Sequence, residues 1–448
     1  MLSGATFSIT TFGCQMNKHD SERVSGMLQE LGMRPVETIP EADVTVFMTC
    51  CVREKADERL MGQVASMKNI PLRPASRFSK RYVCIGGCIG QRDGAALLDS
   101  LPHVDLVFGT HNLDELPHLL QEVVEEETRQ ASIIDGRSDF HDALPESREQ
   151  AWAAWLPITV GCNNFCTYCV VPYVRGREIS RPFEEIEAQA RSYVSEGVKE
   201  ITLLGQNVNS YGRDLYGTPR FDEVLDAVSA SGVERIRFAT SHPKDLSDAV
   251  IERFATLENL MPALHLPVQS GSDAILEAMN RRYTAAHYLS LIEKLRQVRP
   301  DIALSTDIIV GFPGETEEDF LRTCEIVREV GYTQVFTFIY SKRAGTPADE
   351  MEDNTPREVI LERFERLRAL VEEGALAANK AYEGHLARVL FEGEAKKGSG
   401  VAMGKSEHGL TVHVQTESDE AVQALAGKIL PVQIDESKTW YLRGSLIS

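Results

Sequence analysis

The chain has 448 residues, 43% of them apolar or aromatic, nine cysteines and a formal net charge of -20 at pH 7. That length exceeds one ordinary hydrophobic core and leads us to expect three domains. No apolar run reaches the roughly 18 residues that span a bilayer, and the acidic balance excludes binding of nucleic acid through a broad basic face, because phosphate neutralisation dominates that mode.

Over the first part, short apolar or β-branched runs (Phe7 to Phe12, Asp43 to Thr49, Arg81 to Ile85, Val104 to Phe108) alternate with helical patterns at Asp20 to Leu31, Glu54 to Met67 and Asn112 to Glu125. Such alternation predicts a doubly wound parallel sheet. From Val123 to Glu149 the chain turns acidic and polar and reads as a linker. Six further strand candidates follow: Leu156 to Val160, Glu200 to Leu204, Arg235 to Thr240, Ala263 to Pro267, Ala303 to Val310 and Gln334 to Tyr340. Helical stretches at Phe183 to Glu196, Phe221 to Ala230, Asp245 to Leu257, Ala285 to Val298 and Glu317 to Val330 separate them, which predicts a partial (β/α)6 barrel.

A long helix, Pro356 to Ala377, leads into a segment with short strands at Leu386 to Phe391, Leu410 to Val414 and Lys428 to Ile434, which suggests a small β-barrel. The fold class is therefore α/β with a small C-terminal barrel, divided as residues 1–125, a linker over 126–150, a barrel over 151–378 and a tail over 379–448. The start, Met1 to Thr6, has neither a basic stretch nor a continuous apolar one, so a cytoplasmic protein with no membrane partner is expected. In a reducing compartment its cysteines read as metal ligands or small buried residues, not disulfides.

Directly after the first barrel strand comes Gly161-Cys162-Asn163-Asn164-Phe165-Cys166-Thr167-Tyr168-Cys169. Thiolates at C-x3-C-x2-C spacing can hold three irons of a [4Fe–4S] cluster and leave the fourth open. A structural zinc site is the alternative, but it would want a fourth ligand close by. The predicted C-terminal ends of the barrel strands form a polar rim: Gly205-Gln206-Asn207, Ser241-His242-Pro243, Gln269-Ser270-Gly271, Gly311 to Gly314 and Ser341-Lys342-Arg343. Barrels of this type bind ligands there, so Gln206, Asn207, Ser241 and Gln269 are candidates for holding a cofactor.

A second thiol set lies in the first domain. Cys14, Cys50 and Cys88 each follow a predicted strand, at the carboxyl edge where doubly wound sheets place ligands. They fit a second cluster with one open iron, with burial as small apolar residues the alternative. Cys51 adjoins Cys50, and neighbours in extended chain point to opposite sides, so only one of the two is expected to serve. Cys84 and Cys324 fall on apolar faces and are expected to pack. Arg175, Arg177 and Arg181 could hold a cofactor carboxylate or a phosphate, or be solvated, and Trp152 and Trp155 are expected to pack a domain junction.

The three-cysteine loop, with an aromatic before its last cysteine, resembles the radical S-adenosylmethionine superfamily. That resemblance implies that the open iron chelates S-adenosylmethionine and that Tyr168 packs near its adenine, or else covers the cluster. Thr11 to Asn17, Thr49 to Lys55, Gly87-Cys88 and Pro172 to Arg177 resemble the methylthiotransferase family within it, over nearly the whole chain. The family resemblance implies an N-terminal domain with an auxiliary cluster on Cys14, Cys50 and Cys88, a radical barrel with its cluster on Cys162, Cys166 and Cys169, and a C-terminal RNA-binding TRAM domain. Gly13 to Asn17, Leu204 to Tyr211 and Thr240 to Pro243 are similar to the branch acting on isopentenylated adenosine beside the tRNA anticodon. Met48, where the family usually has Asn, and the doubled cysteine are departures.

What the resemblance implies is methylthiolation of carbon 2 of that adenosine, using two S-adenosylmethionine molecules, two [4Fe–4S] clusters, a reducing electron donor and a sulfur source. Two other branches, acting on threonylcarbamoylated tRNA or a ribosomal protein, and a non-catalytic iron–sulfur RNA-binding protein are the alternatives. The tail, with eight Lys or Arg against nine Asp or Glu from Asn379 onward, is compatible with an RNA contact and equally with a domain that only stabilises the barrel.

Overall fold

A computed structural model describes residues 1–51, 54–136, 144–396 and 398–447. Val52 and Arg53 of the second cysteine block, and part of the expected linker, lie outside the described residues. The chain forms two compact units: Met1–Glu149 with Thr159–Phe165 and Cys169–Ser180, and Gln150–Ile158 with Cys166–Tyr168 and Arg181–Ser448.

The first unit is built on a six-stranded parallel sheet in the spatial order Arg34–Pro35, Thr6–Thr11, Val44–Thr49, Tyr82–Gly87, Leu106–Phe108, Gln130–Ser132. Strands Val44–Thr49 and Tyr82–Gly87 are buried along their whole length, as parallel strands covered on both faces must be. On one face Val44, Val46 and Met48 pack with Val24, Leu28, Leu116 and Leu120 of helices Gln15–Glu30 and Leu116–Glu126. On the other, Phe47 and Ile85 pack with Leu60, Val64 and Ile89.

The expected linker carries the sixth strand, Gln130–Ser132, and later holds to helix Gln15–Glu30 through Ser147 N–H donating to Glu22 O at 2.9 Å. A three-residue edge strand is too short to show a period. Met48 packs in the apolar core on the side of the sheet covered by helices Gln15–Glu30 and Leu116–Glu126.

In the second unit two three-stranded parallel sheets follow one another: Ala153–Pro157, Glu200–Leu204 and Arg235–Phe238, then Ala263–His265, Ala303–Val310 and Gln334–Ile339. A single parallel bridge, Ile236 to Leu260, joins the two sets. The first strand starts earlier than its sequence suggests. Strand Ala303–Val310 alternates, with Leu304, Thr306, Ile308 and Val310 buried and Ser305, Asp307 and Ile309 half-buried. Helices Phe183–Ser195, Phe221–Ala230, Asp248–Thr256, Ala285–Val298 and Glu317–Val330 alternate with the strands, and a Thr316–Asp319 capping box fixes the start of the last.

Helix Arg357–Lys380 leads into a closed five-stranded barrel, Leu386–Glu394, Val401–Ser406, Thr411–Gln415, Leu442–Leu446 and Ile429–Ser437 in spatial order. Strands Val401–Ser406 and Leu442–Leu446 were not expected from the sequence. This small barrel is fastened to the large one: Arg235 donates to Arg388 O (2.6 Å) and Lys405 O (3.0 Å), and Arg237 to Ser406 O (2.7 Å) and Glu407 O (3.2 Å). Trp152 packs against Gly427, while Trp155 lies in the first strand. Among the described residues no helix is long and apolar enough to cross a membrane.

Candidate iron–sulfur and cofactor sites

Cys14, Cys50 and Cys88 leave the carboxyl ends of three adjacent strands, because strand Val44–Thr49 lies between Thr6–Thr11 and Tyr82–Gly87. Cys14 occupies the N-cap of helix Gln15–Glu30 and is half-buried, while Cys50 and Cys88 are buried. Gly13 permits the approach: its φ is +107°, and a Cβ there would stand 2.7 Å from Cys50 Sγ and closer still to Cys50 Cβ. Cys50 donates a hydrogen bond to Cys14, and Cys51 to Cys88. The doubled cysteine therefore keeps both thiols in the set, facing different partners, because the chain leaves its extended path at Cys50.

The hydrogen bond from Cys50 draws the Cys14 thiol down to about 6 against the opposing effect of burial, with Arg175 adding to the pull. Cys88 falls to about 7 through its bond from Cys51, burial opposing and Arg175 again assisting. The contact with Cys88, and then burial, push the Cys51 thiol up. Arg175 is the counter-charge of this pocket. Its Nη2 donates to Asn17 Oδ1 and Asp20 Oδ2, each at 2.8 Å. Asn17 Nδ2 in turn donates to Phe12 O and Thr49 O, both at 2.7 Å, and so ties two strand ends together.

Two lowered thiols, two further thiols and a buried cation are a donor set that fits a thiolate-held iron–sulfur cluster. Among the described residues no three His, Cys, Asp or Glu side chains form a group that could hold a metal ion. A four-iron cluster spaces its ligand sulfurs more widely than one ion does. Cys84 and Cys324 pack in apolar clusters, as expected.

In the loop after the first barrel strand, Gly161 has φ +73°, and a Cβ there would meet Arg177 O at 2.0 Å. Phe165 adopts φ +47°, an unusual conformation that lets the loop turn tightly. Cys162 and Cys166 are buried and Cys169 is half-buried. The arginines after the loop are not simply solvated. Arg175 is buried in the thiol pocket, Arg177 lies over the Phe165 ring at 4.3 Å, and Arg181 is buried, 3.7 Å from Glu185.

Within the second unit, Arg281 Nη1 donates to Cys166 Sγ at 3.5 Å, and Thr167 is bonded to Ala278 and Met279 carbonyls. Tyr168 packs against a cluster of Ile275, Met279, Phe312 and Ala348. On the rim, Asn207 and Ser241 are buried, Gln269 is buried with φ +68°, and Gln206 is half-buried. Asn207 Oδ1 and Ser241 Oγ are buried without a hydrogen-bond partner among the described residues.

Sequence reasoning missed two neighbours with the same property, Asn209 Nδ2 and His242 Nε2. Lys244 N–H donates to His242 Nδ1 at 3.2 Å, and burial, reinforced by Arg281 and Lys244, keeps the ring neutral. Nε2 therefore carries the proton and is a buried donor. Buried polar atoms left open at one rim fit a polar ligand. Ser270 and Gly271 are instead engaged by Thr323 Oγ1 and serve the fold.

Family models match three stretches: Radical SAM superfamily over residues 156–327, Uncharacterized protein family UPF0004 over 6–109 and TRAM domain over 380–447. The tRNA-2-methylthio-N(6)-dimethylallyladenosine synthase of Carboxydothermus hydrogenoformans is 44% identical over 445 residues, 99% of each chain. That of Clostridium botulinum (strain Okra) is 45% identical, covering 98% of this chain and 97% of its own. Among solved structures, the radical S-adenosylmethionine methyltransferase TsrM of Kitasatospora setae shares the fold, with a TM-score of 0.54 at 12% identity over 77% of this chain and 74% of its own. With identity at this level running from the first thiol set to the terminal barrel, the chain belongs to the tRNA-2-methylthio-N(6)-dimethylallyladenosine synthase family.

Proposed function

We infer that this chain adds a methylthio group to carbon 2 of the N6-isopentenylated adenosine beside a tRNA anticodon, in the cytoplasm, using S-adenosylmethionine and two [4Fe–4S] clusters. The observation that carries this reading is near-complete coverage by synthases of that name, joined to a thiol pocket with its own buried cation. When bound, the radical cluster supplies the electron that cleaves S-adenosylmethionine, giving a radical able to take hydrogen from an unactivated ring carbon. Cys162, Cys166 and Cys169 hold that cluster, and Cys14, Cys50 and Cys88 the auxiliary one. Asn207, Ser241 and Gln269, with Gln206 at their edge and Tyr168 as apolar cover, hold the cofactor, and the open polar atoms of Asn209 and His242 extend the cradle.

In functional terms residues 1–125 are the auxiliary-cluster domain, 151–378 the radical barrel and 379–448 the tRNA-contacting domain, with a reductant and a sulfur source as further partners. A target base in an anticodon loop can be unstacked and read on its edges.

Anaerobic incubation of reconstituted protein with S-adenosylmethionine, dithionite and isopentenylated tRNA, read by nucleoside mass spectrometry, tests this. The methylthio nucleoside should form there and not on threonylcarbamoylated tRNA or a ribosomal protein. Release of no 5′-deoxyadenosine would support a purely binding role instead.

A further inference from the structure

Arg281 follows the short helix Asp273–Ala278 and is buried. Its three nitrogens reach three different groups: Nη1 donates to Cys166 Sγ at 3.5 Å, Nε to the Tyr283 hydroxyl at 3.1 Å and Nη2 to Pro267 O at 2.9 Å. The Tyr283 hydroxyl donates to Val268 O at 2.8 Å, and the His242 ring meets the Tyr283 ring edge-on at 5.6 Å. A buried cation thus points one N–H at a cysteine sulfur while its other bonds fix it to the strand end that precedes Gln269. An arginine guanidinium keeps its proton at any physiological pH, so the positive charge is present at this buried position.

We propose that Arg281 is a positioning residue for the radical reaction, which raises the reduction potential of the cluster held by Cys166 through its hydrogen bond to that sulfur. This rests on the reading of Cys162, Cys166 and Cys169 as cluster ligands. The physical reason is general. Reduction adds negative charge to the cluster, and a fixed donor and a buried positive charge at a ligand sulfur stabilise the reduced form more than the oxidised one. A hydrogen bond at a ligand also holds its orientation. The competing role is purely mechanical, with Arg281 acting as a clasp between the Pro267 strand end and the loop of Cys166.

The test uses the reconstituted holoenzyme and its Arg281→Gln and Arg281→Lys variants. Iron content is measured first. The midpoint potential is then followed by electron paramagnetic resonance, on the signal that changes when S-adenosylmethionine is added. Absence of any such signal in the wild type would defeat the ligand reading itself, independently of Arg281. With full iron, Arg281→Gln should show a more negative midpoint, and Arg281→Lys a value between it and the wild type. Cleavage of S-adenosylmethionine should fall several-fold with dithionite and recover with the more strongly reducing titanium(III) citrate, a rescue that a misplaced loop would not give. A wild-type midpoint in an iron-replete Arg281→Gln variant overturns the proposal. So does loss of this cluster's iron from both variants, which would assign Arg281 the mechanical role.

Discussion

Buried Arg175 and half-buried Asp20 form an ion pair, Nη2 to Oδ2 at 2.8 Å, at the edge of the thiol pocket. Burial works against the Asp20 carboxylate, but Arg175 and then His19 hold it down at about 2. A group held below its unfolded value of 3.8 contributes stability that is fully present above that value and lost as pH falls through 2. Asp20→Asn should therefore cost about 2 kcal/mol at neutral pH. By about pH 3 roughly half of that difference should be gone. Urea unfolding of the cluster-free chain at the two pH values checks this, and a difference independent of pH would show that Asp20 acts through packing.

Gly13 is the tightest point of the same pocket. Gly13→Ala adds a Cβ that would overlap Cys50 and places a side chain at φ +107°. Backbone strain of this kind costs on the order of 1–3 kcal/mol. We expect the variant to lose the auxiliary cluster and retain the radical one, so that iron per chain falls by about half. Full iron in the variant would mean that the strand end moves freely.

The two thiol sets should separate two activities. Cys14→Ala or Cys88→Ala should still release 5′-deoxyadenosine from S-adenosylmethionine but form no methylthio nucleoside, whereas Cys166→Ala should do neither. Parallel assays on iron-quantified samples decide it. Methylthiolated tRNA from a folded Cys14→Ala enzyme would remove the auxiliary cluster from the reaction.

Cys50 and Cys51 make a sharper comparison. Cys50→Ala should lose the auxiliary iron, while Cys51→Ala should keep it, because Cys50 lies against Cys14 at the pocket whereas the Cys51 thiol is pushed up by Cys88 and by burial. Iron analysis of each variant is sufficient. The reverse result would make Cys51 the ligand.

Fastening of the small barrel is also testable. Arg235→Met removes donors from two half-buried carbonyl contacts and should destabilise the chain by about 1–3 kcal/mol. Burial lowers the arginine only to about 10, so the effect should be constant across neutral pH. Deletion from Asn379 uncovers Arg235, Arg237 and Trp152 as well as removing any tRNA contact. Lost modification in that truncation is thus interpretable only with a normal thermal transition.

Much of this was legible in the chain itself because it is local. The C-x3-C-x2-C loop brings its thiols together within eight residues of covalent chain, and strand and helix periods are properties of short windows. Helix Glu317–Val330 and strand Ala303–Val310 begin and end where their patterns do. Short strands such as Gln130–Ser132 escaped, since three half-buried residues at a sheet edge have no pattern to read.

Contacts between distant positions were a different matter. Asn17 and Arg175 meet across 158 residues, and Arg281 and Cys166 across 115. From sequence Arg175 could equally have held a phosphate or faced water. Cys50 and Cys51 were expected to point to different sides, and they lie against different thiols, Cys14 and Cys88. The sequence alone singled out the two cysteine sets proposed here as cluster ligands. Only the tertiary structure decided which buried charge faces each thiol, because that depends on strand order and on where loops from separate elements come to rest, which no local pattern encodes.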